Sequence, residues 1–149
     1  MNHALHTSVD IDAPPSVVWD VLVDLDAWAD WNPFIVSSSG SVAVGEQLTN
    51  RMEPPGGKGM TFKPRVTEVV DQQVFEWLGR LGLPGIFDGR HRFELSEQGS
   101  QTRLEHTEAF SGLLVPFMRR SLDGQTLPGF EAMNAALKAR AEARARAAA

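Results

Sequence analysis

Residues 75–112 constrain the fold of this chain more than any other segment, because apolar and polar side chains alternate there over three successive stretches. A period of two is typical of a β-strand that buries one face and exposes the other. Glycine-containing segments separate the stretches, as expected for tight turns. The pattern predicts three antiparallel strands, at residues 75–81, 86–95 and 102–110.

Charged residues on the outer face of this sheet indicate how the first two strands pair. A register that places Glu76 opposite Arg92 also places Arg80 opposite Asp88. Opposite charges directly across a sheet contribute about 0.2–1 kcal/mol each, and a slip by two residues loses them. We therefore predict this register.

The same argument applies to the second and third strands. One register places Arg92 opposite Glu105 and Glu94 opposite Arg103, again with opposite charges. It also puts the Gln-Gly pair at residues 98–99 at the centre of a two-residue hairpin turn, where glycine supplies the positive φ that such turns need. We predict this register for the second hairpin.

The inner face of the predicted sheet is mostly aromatic and apolar, but it contains three titratable side chains. Its members are Phe75, Trp77, Gly79, Phe87, Gly89, His91, Phe93, Leu104, His106, Glu108 and Phe110. In the predicted register His91 faces His106, and Glu108 lies one pair further on, opposite Gly89. A wide sheet with such a face is suited to covering a cavity.

Length and charge limit the class of protein. A chain of 149 residues is long enough to bury a substantial core and predicts a single domain over residues 1–149. Its formal net charge of −5 and scattered arginines form no basic stripe. We therefore expect no nucleic-acid partner.

The residue inventory limits the chemistry and the location. The chain has no cysteine, which excludes disulfides, thiolate catalysis and cysteine-based zinc sites and is compatible with the cytoplasm. No apolar run approaches the roughly 18 residues of a membrane span, and no signal-peptide pattern begins the chain. We predict a cytoplasmic protein that is not an integral membrane protein.

Other segments predict the remaining elements. Alternation, helical spacing of apolar residues and proline positions carry these predictions. The further strands are residues 3–11, 34–39, 47–52 and 60–70, and the helices are residues 16–24, 27–31 and a long C-terminal helix beginning near Pro128. The glycine-rich segments 54–59 and 82–85 are predicted to be mobile loops that flank a pocket entrance. The first lacks the spacing of a phosphate-binding loop.

Several segments resemble one known family. They are residues 13–19 (APPSVVW), 28–33 (WADWNP), 89–93 (GRHRF), 105–112 (EHTEAFSG) and 130–137 (FEAMNAAL). Together they resemble polyketide cyclase/dehydrase-like proteins of the START and birch-pollen-allergen superfamily, over nearly the whole chain. The resemblance implies an α+β helix-grip fold, in which a curved antiparallel sheet of about seven strands wraps around a long C-terminal helix. Two short helices follow the first strand.

The resemblance also implies an elongated cavity between the sheet and the C-terminal helix. Thirteen residues are candidate ligand contacts, some from the sheet, some from the helix and two tryptophans from the short helices. They are Trp28, Trp31, Phe75, Trp77, His91, Phe93, Leu104, His106, Glu108, Phe110, Met133, Asn134 and Leu137. The implied partner is a hydrophobic small molecule bound by a monomer or homodimer.

Three functions remain open at this point. The first is binding of a hydrophobic or amphipathic molecule, with His91, His106 and Glu108 recognising a hydroxyl or carbonyl group. The second is an enzyme of the cyclase or dehydratase type, in which the same trio acts as a general base. The third is an interaction protein with a vestigial cavity that works through a partner. Independently of these three, the trio could be purely structural, with its polar atoms satisfied by one another and by water. None of the three requires a cofactor or a metal.

Overall fold

The computed structural model describes residues 2–149. The strands are β1 (Asn2–Ile11), β2 (Ile35–Ser39), β3 (Thr49–Met52), β4 (Met60–Phe62), β5 (Arg65–Val70), β6 (Val74–Arg80), β7 (Asp88–Gln98) and β8 (Gln101–Ser111). The helices are α1 (Pro15–Val23), α2 (Trp28–Trp31), α3 (Val115–Ser121) and α4 (Leu127–Ala148). A 3-10 turn (Leu25–Ala27) precedes α2, and a π-helical segment (Leu122–Thr126) joins α3 to α4.

The strands form two antiparallel sheets with a helix across them. The larger sheet has the order β1-β8-β7-β6-β5, and the smaller has the order β2-β3-β4. Helix α4 packs against β1 and α1. The predicted α+β helix-grip fold is confirmed. The predicted strand 60–70 is two strands, β4 and β5, because Pro64 lies between them and has no N–H for a ladder.

The predicted register of β6 and β7 is confirmed, since Glu76 pairs with Arg92 and Arg80 with Asp88. The predicted register of β7 and β8 is wrong by two residues. Glu94 lies opposite Glu105. Cross-strand charge pairs therefore predict the register of the first hairpin but not that of the second.

The difference arises because β8 has a second neighbour, β1. Asp10 of β1 accepts a hydrogen bond from Arg103 at 3.1 Å, and His6 of β1 pairs with Glu105. These partners replace the ones that β7 was predicted to supply. The turn is formed by residues 99–100, with Gly99 at φ 64°. A shift by two residues keeps every side chain on its face, so the predicted inner face is unchanged. The predicted pairs on that face are wrong, since His91 lies opposite Glu108 and His106 lies opposite Phe93.

The π-helical segment has a local cause. Pro128 has no N–H and its ring clashes with the carbonyl four residues earlier, which disfavours a regular α-helix at this point. The N–H of Leu127 instead bonds the carbonyl of Leu122, one residue further back than in an α-helix. The chain widens by one residue there, and α4 begins at Leu127, close to the predicted start.

The core lies between the larger sheet and the helices. Its largest fully buried side chains are Trp28, Trp77, Phe34, Phe75, Phe93 and Phe130. Within residues 2–149, no helix is both long enough and apolar enough to cross a membrane.

Candidate functional site

A cavity of about 570 Å³ lies between the larger sheet, the smaller sheet and the segment from α3 to the start of α4. Much of its wall is aromatic or thioether in character. These wall residues are Met52, Met60, Phe62, Trp77, Phe87, Phe110 and Met118. Its polar and charged wall residues are Lys58, Arg80, His91, Glu108, Ser121, Gln125 and Thr126.

Two glycines make room for the cavity. Gly79 of β6 and Gly89 of β7 are cross-strand partners, and both line the cavity. A Cβ at Gly79 would make ordinary contacts, the nearest at 3.8 Å from Phe62. A Cβ at Gly89 would overlap Oε2 of Glu108. The carboxyl group of Glu108 thus occupies the space that a side chain at position 89 would need.

A continuous line of polar contacts runs from the cavity into the core. Glu108 Oε1 lies 3.3 Å from His91 Nδ1. His91 Nε2 lies 2.7 Å from His106 Nε2, and His106 Nδ1 lies 2.7 Å from Asn134 Oδ1. Asn134 donates from Nδ2 to Thr7 Oγ1 at 2.8 Å. The line joins β7, β8, α4 and β1.

Aromatic rings hold both imidazoles in place. The His106 ring stacks on Phe130, with centroids 4.1 Å apart and planes inclined by 6°. The His91 ring stacks on Trp77 at 4.6 Å and 29°. Because these flat contacts leave little room for rotation, the ring nitrogens point along the line of polar contacts.

Burial suppresses charge at this site. It raises the pKa of Glu108 to about 8 and lowers the pKa of His91 to about 3. The pKa of His106 is also well below its usual value, chiefly through burial and also through the nearby His91. At neutral pH the site therefore presents an uncharged carboxylic acid beside an uncharged imidazole.

The cavity contains only some of the predicted contact residues. Four line it: Trp77, His91, Glu108 and Phe110. The others lie outside its wall, packed in the core or against it. They are Trp28, Trp31, Phe75, Phe93, Leu104, His106, Met133, Asn134 and Leu137. The expectation that the long helix closes the cavity with Met133, Asn134 and Leu137 is therefore corrected.

The physical reason is that α4 packs directly on the sheet where those residues lie. His106 and Phe130 are both fully buried and in ring contact, so no space remains between helix and sheet at that level. Trp28 is also fully buried, and its indole Nε1 donates to the Leu22 carbonyl at 3.0 Å. Trp31 stands beside it, with ring centroids 6.0 Å apart.

The helical side of the cavity comes instead from α3 and the π-helical segment. The residues missed there are Met118, Ser121, Leu122, Gln125 and Thr126. Their spacing of three or four residues is a helical signal, but Pro116 and Pro128 on either side conceal it. The smaller sheet adds Ile35, Met52, Met60 and Phe62, which were also missed.

The two glycine-rich loops differ in position. Pro54, Gly56, Gly57 and Lys58 of the first loop line the cavity. The second loop, residues 82–85, lies outside the wall, although the preceding Leu81 belongs to it. Their mobility stays a prediction.

Titratable side chains are few around the cavity. Within residues 2–149, no group of three or more His, Asp or Glu side chains is arranged to hold a metal ion. The site thus combines a largely apolar wall with the uncharged pair Glu108 and His91, besides the exposed Lys58 and Arg80.

A sequence profile of the family described as polyketide cyclase / dehydrase and lipid transport matches residues 2–142. The chain therefore belongs to this family, and the predicted resemblance is confirmed. No curated protein sequence matches the chain.

Solved structures with the same fold include enzymes. The ZhuI aromatase/cyclase from Streptomyces sp. R1128 has a TM-score of 0.82 at 20% identity, covering 99% of this chain and 98% of its own. The di-domain ARO/CYC StfQ of the steffimycin biosynthetic pathway has a TM-score of 0.80 at 11% identity, covering 98% of this chain and 53% of its own. A Thalictrum flavum norcoclaurine synthase point mutant, solved with a transition-state analogue, has a TM-score of 0.74 at 14% identity and coverages of 97% and 96%. At these identities the likeness shows the fold alone.

Proposed function

We propose that the protein binds a largely apolar, aromatic small molecule in the cavity, with one polar group of that molecule reaching Glu108. The observation that carries this proposal is the combination of about 570 Å³ of space, an aromatic and methionine wall, and the uncharged polar pair of Glu108 and His91. Sites for small molecules commonly have about 300–1,000 Å³ and a few placed polar groups in an apolar lining.

The wall favours flat, polarisable ligands. Trp77, Phe87 and Phe110 offer ring faces and edges, and aromatic pairs gain about 0.5–1.5 kcal/mol beyond the area they bury. Met52 and Met118 adapt to irregular shapes and make favourable contacts with rings. Membership in a family described by polyketide cyclisation, dehydration and lipid transport supports the same class of ligand.

The first experiment is a titration with 2-naphthol, followed by tryptophan fluorescence and by calorimetry. We expect saturable binding with one site. Leucine in place of Gly79 should abolish it by filling the cavity, because a Cβ fits at this position. The matched control is Thr107→Leu on the outer face of β8, which should bind as the wild type does. Equal binding by Gly79→Leu would contradict the proposal.

A second function is favoured by the paired Glu108 and His91. An uncharged carboxylic acid can donate a proton and an uncharged imidazole can accept one, which is what cyclisation with loss of water requires. We propose as the alternative that the protein is an enzyme of the cyclase or dehydratase type, acting on a ligand held as above.

Native mass spectrometry of protein purified from its own host separates the two functions. If the protein only binds, the wild type and Glu108→Gln should retain molecules of the same mass. If it catalyses a dehydration, the wild type should carry product and the variant should carry the precursor, heavier by one water. Loss of a general acid commonly slows turnover by roughly 10²–10⁴-fold, which is enough for the precursor to accumulate.

A further inference from the structure

We propose that the hydrogen bonds from Glu108 to Thr7 all point away from the cavity, so that the cavity end of this chain is an acceptor and the bound molecule presents a hydroxyl group to it. In this arrangement Asn134 is a positioning residue, since it acts on the ligand only through the two histidines. The inference rests on the proposed binding function and narrows the ligand to a hydroxyl donor of the phenol or enol type.

The direction is set at the far end of the chain. Thr7 Oγ1 lies 2.8 Å from the backbone carbonyl of His106, which can only accept. The single hydroxyl proton of Thr7 is therefore committed to that carbonyl. Thr7 must accept from its other neighbour, Asn134, at 2.8 Å. This requirement identifies the Asn134 atom facing Thr7 as the NH₂ group and the atom facing His106 as the oxygen.

The amide of Asn134 then fixes both imidazoles. Its oxygen lies 2.7 Å from His106 Nδ1, so that nitrogen carries a proton. A neutral His106 has its lone pair on Nε2, which lies 2.7 Å from His91 Nε2. His91 must therefore donate from Nε2, and a neutral His91 keeps a lone pair on Nδ1.

Glu108 completes the sequence of donors. Its Oε1 lies 3.3 Å from His91 Nδ1. Because a His91 that donates from Nε2 has no proton on Nδ1, the two atoms attract each other only if this oxygen carries a proton. Burial, which raises the pKa of Glu108, acts in the same direction. Oε2 is then a carbonyl-type oxygen. It lies over Gly89, a residue of the cavity wall, so a ligand in the cavity meets an acceptor.

The surroundings of Glu108 contain few competing charges. The cavity wall contributes His91 from β7, Arg80 from β6 and Lys58 from the loop 54–59. The wall residues of α3 and the π-helical segment are Met118, Ser121, Leu122, Gln125 and Thr126, and none of them is titratable. Only Arg80 and Lys58 could favour the ionised form, and both are exposed to solvent.

The first test reads the protons directly, without a ligand. Nitrogen-15 NMR of the side chains distinguishes a ring nitrogen that carries a proton from one that does not. We expect His91 protonated at Nε2 and His106 protonated at Nδ1 at pH 7. The two histidines of β1, His3 and His6, serve as internal references in the same spectrum. A charged imidazolium at either buried position, or the opposite pair of tautomers, would overturn the proposal.

Three variants test the role of the positioning groups. Asn134→Leu removes the acceptor of His106, and Thr7→Val removes the hydroxyl that fixes the amide orientation. Each should change the single tautomer of His91 to a mixture. Thr7→Ser keeps the hydroxyl and should restore the wild-type spectrum. If Asn134→Leu does not fold, Thr7→Val and Thr7→Ser decide the question, and an unchanged His91 in Thr7→Val overturns it.

The ligand class is tested with a matched pair of probes, 2-naphthol and 2-methoxynaphthalene. The two have the same rings, but only the first can donate. We expect 2-naphthol to bind about tenfold more tightly, the scale of one hydrogen bond to a buried acceptor. Glu108→Leu should remove the preference, and Glu108→Gln should rescue it, because an amide donates to His91 and accepts from the ligand as a protonated acid does.

The outcomes separate this inference from the proposed function. Equal binding of both probes leaves a binding cavity but overturns the hydroxyl donor. Absence of binding by either probe counts against the proposed function and the ligand class together, while the NMR result still decides the direction of the chain. Loss of the preference in Glu108→Gln would show that Glu108 is ionised and would overturn the inference.

Discussion

The space between the larger sheet and the helices has two halves, of which one is filled by side chains and the other contains the cavity. The same sheet supplies the inner face of both halves. In the half beneath α4, His106 of the sheet is in ring contact with Phe93 beside it and stacks on Phe130 of the helix, and all three are fully buried. In the half beneath α3, the facing sheet positions are Gly79 and Gly89, and a cavity remains. The two halves thus differ in the size of one cross-strand pair each. The large pair Phe93 and His106 fills the core, and the small pair Gly79 and Gly89 leaves space for a bound molecule.

The comparison also separates stability from function. Side chains in the packed half touch neighbours on all sides, so their removal leaves a void that the structure cannot fill. Side chains in the cavity half already face space on one side. We therefore expect large effects on folding from the first group and effects on binding from the second.

The largest expected effect is on the free energy of unfolding of Phe93→Ala. Phe93 is fully buried and contacts Phe75, Trp77 and His106. We expect a loss of about 3–5 kcal/mol, as for other buried phenylalanines. Urea unfolding followed by circular dichroism measures it.

The matched control in the other half is Phe87→Ala. Phe87 is half-buried and lines the cavity. Since part of its surface is not packed against protein, we expect a loss of less than about 1.5 kcal/mol. Equal losses in the two variants would mean that the halves do not differ in packing.

The next effect in size is the dependence of stability on pH. The folded protein holds a proton on Glu108 up to a pKa of about 8, whereas the unfolded chain releases it near the ordinary pKa of 4.5. Stability therefore falls as pH rises through this window, by about 1.4 kcal/mol per unit at most. His91 acts in the opposite sense, since its folded pKa of about 3 lies below the ordinary 6.5 and its contribution is lost as pH falls below 6.5.

The depressed pKa of His106 adds to the loss at low pH. We therefore expect maximal stability near pH 6.5 and a fall of about 2 kcal/mol towards pH 8. Chemical denaturation across this range measures it. Glu108→Gln should remove the fall above pH 6.5 and keep the loss at low pH. An unchanged fall in that variant would assign it to another group.

A smaller effect is expected from alanine at the two facing glycines. Alanine at Gly89 overlaps Oε2 of Glu108 and should displace that carboxyl, whereas alanine at Gly79 meets only ordinary contacts. We expect Gly89→Ala to weaken binding of 2-naphthol by about tenfold, the scale of one hydrogen bond. Gly79→Ala should change the affinity much less. Calorimetry on both variants measures the difference, and the reverse order would refute the assigned place of Glu108.

The smallest expected effect concerns the outer face. Double-mutant cycles between Asp10 and Arg103 should give a coupling of about 0.2–1 kcal/mol, as for exposed ion pairs. The control cycle between Glu94 and Arg103 should give none, because Arg103 lies opposite Ser96. Coupling only in the second cycle would restore the register that cross-strand charges alone predicted.

Residue types predicted the faces of the sheet better than the pairing of its strands. Alternation has a period of two, and the error in the β7–β8 register was also two, so the inner face survived the error. The charges of Arg103 and Glu105 were misassigned because their partners lie on β1, about a hundred residues earlier in the chain. Local sequence contains no signal for such a contact.

The site was predicted in part for a related reason. The polar trio and Trp77 were visible as exceptions on one face of a strand pattern. The position along the sheet at which α4 packs was not visible in the sequence, because it depends on the π-helical turn that precedes Pro128. The apolar positions before and after that turn are offset around the helix axis. A single apolar stripe over residues 115–137 therefore could not be predicted.

The π-helical turn contains one residue more than an α-helical turn at the same place would. An α-helix rotates by about 100° per residue, so deletion of Gly124 would join α3 and α4 in one phase and swing Met118 and Leu122 around the helix axis. A single codon lost or gained at this position would exchange nearly the whole helical wall of the cavity while leaving the sheet and the core beneath α4 as they are. Ligand range in relatives of this chain could therefore change through the length of this segment as readily as through substitution of its residues.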